Sequence, residues 1–254
     1  MTIAEIKNNI ILGDNRIVLK SFPEGVVNTT VTSPPYYNLR DYGVNGQIGL
    51  EESLEDYIEQ LCIVFDEVYR VTKDDGTLWL NIGDCYANKN EITSDGRRGF
   101  SGSKGMGTAD KTIKGLTQKD LIGVPWKVAF ELQKRGWILR SDIIWAKKNP
   151  IPESIKDRPT SSHEHIFLFA KQPKYYYDFE SVKEKISYLE NNGGYEYRNK
   201  RDVWSVRVAS YPGAHFATFP TELIIPCIKA GSPKGGLVLD PFMGSGTVAE
   251  AAKS

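Results

Sequence analysis

The sequence predicts an α/β sheet protein. Short apolar runs alternate with amphipathic helical patterns along the chain, and several of these runs stop at turns built from glycine or proline. No internal repeat is present, which argues against a solenoid. With 254 residues the chain can bury a sizeable core without disulfide or metal staples.

The elements follow in order. Asn9 to Leu12 reads as a first strand, stopped by Gly13-Asp14. Val26 to Val31 reads as a second, halted by Pro34-Pro35 because proline cannot donate to a ladder. A well-marked helix comes next. Ser53 and Asp56 form a capping-box signal, and Leu54, Tyr57, Ile58, Leu61, Phe65 and Val68 recur at helical spacing. The turn Lys73-Asp74-Asp75-Gly76 leads into a strand from Thr77 to Ile82. Residues 87 to 120 read as a mobile loop with an excess of basic side chains, able to order on a phosphate backbone. A helix opens near Pro125 and ends at Gly136, the usual proline-in, glycine-out asymmetry. Trp137 to Trp145 and His163 to Ala170 are further strands. Residues 171 to 212 are weakly periodic and rich in Tyr, Asn, Lys and Arg, and read as an inserted module outside the sheet. Thr221 to Ala230 is a helix kinked at Pro226, Leu237 to Leu239 a short buried strand, and Thr247 to Ser254 the start of another helix.

Composition excludes some classes. Hydrophobic residues at 40% and charged residues at 25% match an ordinary globule. No apolar run approaches the roughly 20 residues of a membrane span, and the start MTIAEIKNN lacks a signal-peptide core. Basic and acidic residues number 32 each, so total charge names no polyanionic partner. The odd cysteines Cys62, Cys85 and Cys227 are far apart, which fits a reducing cytoplasm rather than a disulfide framework or zinc ribbon. His163 and His165 alternate on a strand without an apparent third ligand, so no metal is expected.

Two motifs carry chemistry. Asp240-Pro241-Phe242-Met243-Gly244-Ser245-Gly246-Thr247 joins a strand end to a glycine-rich turn and a helix start. By itself such a turn serves an ordinary strand-to-helix connection as readily as a cofactor loop. Thr32-Ser33-Pro34-Pro35-Tyr36-Tyr37 ends an apolar strand. The Ser33 hydroxyl and the Pro34 carbonyl offer two acceptors, and Tyr36 offers a flat ring. Together they suit a planar heterocycle bearing an exocyclic –NH2.

The two motifs together resemble the amino-methylating DNA methyltransferases, which use S-adenosylmethionine to methylate cytosine N4 or adenine N6. Ser33-Pro34-Pro35-Tyr36 matches the catalytic pattern Ser/Asp/Asn-Pro-Pro-Tyr/Phe, and Phe242-Met243-Gly244-Ser245-Gly246 matches Phe-x-Gly-x-Gly. The catalytic motif comes first, the permuted order of the beta group. The resemblance implies a Rossmann-like class I sheet, mostly parallel with one antiparallel strand. It implies cofactor contacts from Asp14, Thr32, Phe219, Pro220, Asp240, Pro241, Phe242, Gly244, Ser245 and Gly246, with Asp14 near the cofactor's adenine. Catalysis is expected from Ser33, Pro34, Pro35 and Tyr36, with Tyr36 stacking on a flipped base and Tyr37 sharing that role. DNA contacts are expected from Tyr37, Arg97, Arg98, Lys147, Arg198, Lys200 and Arg201.

Residues 1–170 would then be the catalytic part, 171–212 the target-recognition segment and 213–254 the cofactor part. In the family the helix after Gly246 leads to a strand ending in an acid, so stopping at Ser254 implies a shortened chain with an open sheet position beside residues 237–239. Serine first in the catalytic motif favours cytosine N4. Adenine N6 and a catalytically idle DNA-binding relative are the alternatives. Double-stranded DNA is the expected partner, and a restriction endonuclease the functional pair. Oligomeric state stays open, a dimer included.

Overall fold

The computed structural model describes residues 1–87, 113–186, 195–208 and 219–253. Its centre is a six-stranded sheet. In chain order the strands are β1 (Val27–Thr32), β2 (Thr72–Ile82), β3 (Ile138–Lys147), β4 (His163–Ala170), β7 (Val203–Val206) and β8 (Val238–Leu239). Two further short strands, β5 (Glu184–Lys185) and β6 (Tyr197–Arg198), pair with each other as a separate antiparallel ribbon. The sheet order is β7-β3-β4-β2-β1-β8, and β4 alone runs antiparallel to its neighbours. The mostly parallel sheet with one reversed strand agrees with the fold class expected above.

Helices cover both faces, so strand residues are buried alternately on either side. On β2, Leu78, Leu80 and Ile82 face α3 (Leu54–Val71) and α4 (Val124–Lys134), whereas Trp79 faces α5 (Thr221–Gly231) and α6 (Thr247–Lys253). β4 repeats the division, with Phe167 and Phe169 on the first side and Ile166 and Leu168 on the second. α3 forms where its cap signal lies. The Ser53 hydroxyl accepts from the Asp56 N–H at 3.0 Å, and Leu54, Tyr57, Leu61, Phe65 and Val68 make one buried stripe. α4 takes its cap from a distance: Asp84, just after β2, accepts from the backbone N–H groups of Gly123 and Val124. Two short helices, α1 (Ile3–Ile6) and α2 (Asn15–Val18), flank the N-terminal segment.

Three expectations need correction. Asn9 to Leu12 is not a strand. It finds no neighbour in the sheet, and Ile10 and Leu12 are 70% and 98% exposed. The local amide of Asn9 competes for the backbone instead, donating to the Glu5 carbonyl and accepting from the Ile10 N–H. The turn at 73–76 is a bulge inside β2, because pairing with β1 jumps from Val27↔Thr72 to Thr29↔Thr77. Within 171–212, Val203–Val206 joins the main sheet as its edge strand beside β3, burying Trp204 and Val206. Glu184–Lys185 and Tyr197–Arg198 of that segment do stay outside the main sheet, as the β5–β6 ribbon. Among the described residues no helix is long and apolar enough to cross a membrane.

Candidate active site

β1 and β8 are parallel neighbours, so both motifs leave the sheet at the same end, the carboxyl ends of the strands. The Thr32 hydroxyl donates to Asp240 Oδ1 at 2.6 Å, joining residues 208 positions apart. The Phe242 N–H donates to the same oxygen at 3.0 Å. Burial pushes the Asp240 carboxyl up to about 6, against the opposing pull of those two donors. The turn beyond it needs glycine: Gly244 and Gly246 have φ of +52° and +85°, where side chains are strained. A Cβ at Gly244 would find its nearest neighbour at 3.7 Å, so this face of the turn stays open.

The N-terminal segment reaches the same turn, since the Asn15 amide donates to the Pro241 carbonyl at 3.0 Å. Asp14 is therefore brought beside the glycine-rich loop. Its carboxylate caps α2 and grips the Arg16 guanidinium, which holds its pKa below the ordinary carboxylate value. Phe242 packs on Phe65 beneath α3, with ring centroids 6.3 Å apart. Ser245 shares a hydroxyl contact with Thr247 at 3.1 Å. Pro220 is the N-cap of α5, and Phe219 packs against the core under that helix.

The Ser33-Pro34-Pro35-Tyr36 turn is braced from below. The Tyr57 hydroxyl on α3 donates to the Pro35 carbonyl at 2.9 Å. Ser33 and Tyr36 are half-buried, and Pro34 is buried. The Tyr36 hydroxyl donates to Glu164 Oε2 at 2.7 Å, and burial chiefly, then the Glu164 charge and hydrogen bond, raises the phenol well above its usual pKa. Gly83, just past β2, lies under the Tyr36 ring: a Cβ there would come within 2.8 Å of it.

Of the expected DNA contacts, Tyr37 is placed differently. Tyr37 is 2% exposed and packs on the Tyr57 ring at 5.3 Å, so it belongs to the core and not to a base platform. Lys147 gives its ammonium to Glu164 Oε1 at 2.6 Å, with both side chains largely buried, so its charge is engaged inside the site. Arg198 donates to Glu184 at 2.8 Å, binding the β5–β6 ribbon together, and Lys200 lies over the Trp204 ring. Arg201 and Lys200 line a cavity with Arg140, Tyr175 and Trp204, toward the opposite end of β3 from Lys147. Arg97 and Arg98 fall outside the described residues. His165 bonds Asp142 at 2.8 Å and lies over Phe167, and among the described residues no three potential ligands converge as a metal site.

Sequence reasoning missed Glu164, Asn81, Tyr57 and Asn15. Glu164 carried one readable signal, an acid at the head of an otherwise apolar strand. The other three carry no such signal until the fold brings them to positions 164, 35 and 241.

The donor set suits S-adenosylmethionine. Asp240 takes the Thr32 and Phe242 bonds on Oδ1, which leaves Oδ2 for an ammonium group, and the open glycine turn admits close backbone approach.

Comparison with known proteins agrees with this geometry. A family model described as DNA methylase matches residues 27–254. The type II methyltransferase M.Cfr9I of Citrobacter freundii is 51% identical over 242 residues, covering 93% of this chain and 76% of that protein. M.SmaI of Serratia marcescens is 50% identical over 238 residues, covering 94% and 80%. Among solved structures, the PvuII DNA methyltransferase (cytosine-N4-specific) superposes with a TM-score of 0.68 at 20% identity, covering 95% of this chain and 76% of that one. The M1.HpyAVI–SAM complex gives 0.54 at 17% identity, covering 95% and 84%. These two likenesses speak to the fold. With the family model spanning nearly the whole chain and relatives at half identity, the chain belongs to the S-adenosylmethionine-dependent DNA methylases that modify exocyclic amines of bases.

Proposed function

We propose that this chain is a type II DNA methyltransferase that modifies cytosine N4 in duplex DNA. The observation that carries the reading is the 2.6 Å Thr32–Asp240 bond, which couples the amine-accepting turn to the cofactor turn. The choice of cytosine rests on Ser33 at the first motif position, where a neutral hydroxyl stands instead of a carboxylate or amide.

S-adenosylmethionine, when bound, supplies an electrophilic methyl on a sulfonium. The protein's task is to make a poor nucleophile attack it. An exocyclic amine has its lone pair delocalised into the ring. The Ser33 hydroxyl and the Pro34 carbonyl accept its two N–H bonds, favouring a tetrahedral nitrogen with an available lone pair. They also stabilise the positive charge that develops on that nitrogen. Tyr36 presents its ring to the flipped base, whose extrusion costs a few kcal/mol. Asp240 and the 243–246 turn hold the cofactor. A restriction endonuclease of the same specificity completes the functional pair.

The test is transfer of labelled methyl from S-adenosylmethionine to unmethylated genomic DNA, followed by mass spectrometry of the nucleosides. N4-methylcytosine is the expected product. N6-methyladenine as the sole product would overturn the choice of base, and no transfer at all would favour an idle DNA-binding relative.

A further inference from the structure

A stacking platform needs only a flat face, and the family pattern accepts phenylalanine where Tyr36 stands. The hydroxyl is therefore available as a handle. Its partner is Glu164, whose own position is set by two other strands. Asn81, at the end of β2, donates to the same Oε2 at 3.1 Å and also to the His165 carbonyl at 3.1 Å. Lys147, at the end of β3, donates to Oε1 at 2.6 Å. Asn81 is 4% exposed, and the Glu164 and Lys147 side chains are 14% and 22% exposed. Three strand ends thus converge on one carboxylate at the catalytic edge of the sheet.

We infer that Glu164 is a positioning residue for methyl transfer: it anchors the far end of the Tyr36 ring through the phenol hydroxyl, and Lys147 and Asn81 fix Glu164. This rests on the amino-methyltransferase reading given above. The geometry leaves the ring two constraints. Gly83 leaves room for the ring beside the backbone after β2, and the Glu164 bond holds the far end of the ring against swinging about χ1. With its pKa raised by burial and by the acid beside it, the phenol remains the donor throughout the neutral range. A freed ring would still stack. It would do so in several orientations, and the amine would then miss the line of the methyl group. The loss should therefore appear in the rate of transfer while cofactor affinity is unchanged.

A double-mutant cycle tests this. Single-turnover methyl transfer is measured for the wild type, Tyr36→Phe, Glu164→Gln and the double variant, with melting temperature and S-adenosylmethionine affinity measured alongside. Each single variant should lower the transfer rate about tenfold, and the double variant about tenfold also, because both break the same Tyr36–Glu164 link. Independent roles would multiply to about a hundredfold, which would overturn the inference, as would wild-type rates in Glu164→Gln. Should Glu164→Gln melt early, the cycle of Tyr36→Phe with Lys147→Met reads the same chain of contacts from its other end, and multiplied losses there would be equally decisive. Wild-type transfer in the same assay separates the two levels. No transfer by the wild type removes the functional reading and the positioning role together. Wild-type transfer with multiplied losses removes the positioning role alone.

Discussion

Asp240 is expected to trade stability for cofactor affinity, and Asp240→Asn measures both sides. Its carboxyl stands at about 6 in the folded chain against an ordinary 3.8, with burial as the main cause. Because the folded pKa is the higher, the folded state binds the proton more tightly. Stability is greatest below pH 4 on this account and falls as pH rises from about 4 to about 6, where it levels off. That interval corresponds to about 3 kcal/mol at roughly 1.4 kcal/mol per pH unit. An asparagine keeps an oxygen for the Thr32 hydroxyl and the Phe242 N–H, and its amide group loses solvation where Oδ2 stood, which offsets about 1 kcal/mol of the gain. The variant should thus be more stable than the wild type by about 2 kcal/mol at pH 7, or roughly 4–8 °C in melting temperature for a chain of this size.

Cofactor affinity should move the other way. The ammonium of S-adenosylmethionine loses a charged acceptor, a loss of about 1.5–3 kcal/mol and so about one to two orders of magnitude in Kd. Calorimetric melts from pH 4 to pH 8 and calorimetric titration with S-adenosylmethionine read the two effects. In the wild type, affinity should also weaken as pH drops below about 6, where Asp240 takes up a proton. An Asp240→Asn variant that is no more stable at pH 7, or whose affinity matches the wild type, would refute the reasoning.

Tyr36→Ala should remove a stacking contribution of about 1–3 kcal/mol per base while S-adenosylmethionine affinity stays nearly unchanged. A fluorescent base analogue at the target position reads extrusion, and undiminished extrusion with normal transfer would deny the ring its role. Gly244→Val places a branched side chain at φ +52° on the open face of the cofactor turn, so it should weaken S-adenosylmethionine binding at least tenfold in a folded variant. Titration calorimetry checks it, and unchanged affinity would move the cofactor away from this turn.

The elements read most clearly from the sequence were those with a local cause. α3 announces itself through Ser53 and a six-residue apolar stripe, and β4 through a run buried on both faces. Residues 9–12 misled because apolar content alone cannot supply a neighbouring strand: Ile10 and Leu12 have the composition of a strand and no ladder to join. Val203–Val206 was hidden for the opposite reason. A four-residue edge strand has too short a pattern to stand out from a polar segment, and only its pairing with Ile144 to Lys147 makes it sheet. The site divides in the same way. Ser33, Tyr36 and the glycine turn were legible because each motif is contiguous. Glu164, Asn81 and Asn15 were not, since their partners lie at distances in sequence that no local spacing encodes.

Topology explains why those contiguous motifs meet. β1 leads through α3 back to β2, and α3 lies on the face covered by Leu78 and Leu80. β8 leads into α6, whose Val248 and Ala251 are buried on the other face. The two connections leaving adjacent parallel strands therefore diverge, one above the sheet and one below. A crevice opens beyond the carboxyl ends of β1 and β8, which is where open α/β sheets place their ligands. Ser33 ends one side of that crevice and Asp240 the other, tied by the Thr32 hydroxyl. The order of the motifs along the chain can change without moving this crevice, because only the adjacency of the two strands and the opposite sides of their helices define it. A chain whose catalytic motif precedes its cofactor motif by some 200 residues thereby builds the site across a single pair of strands.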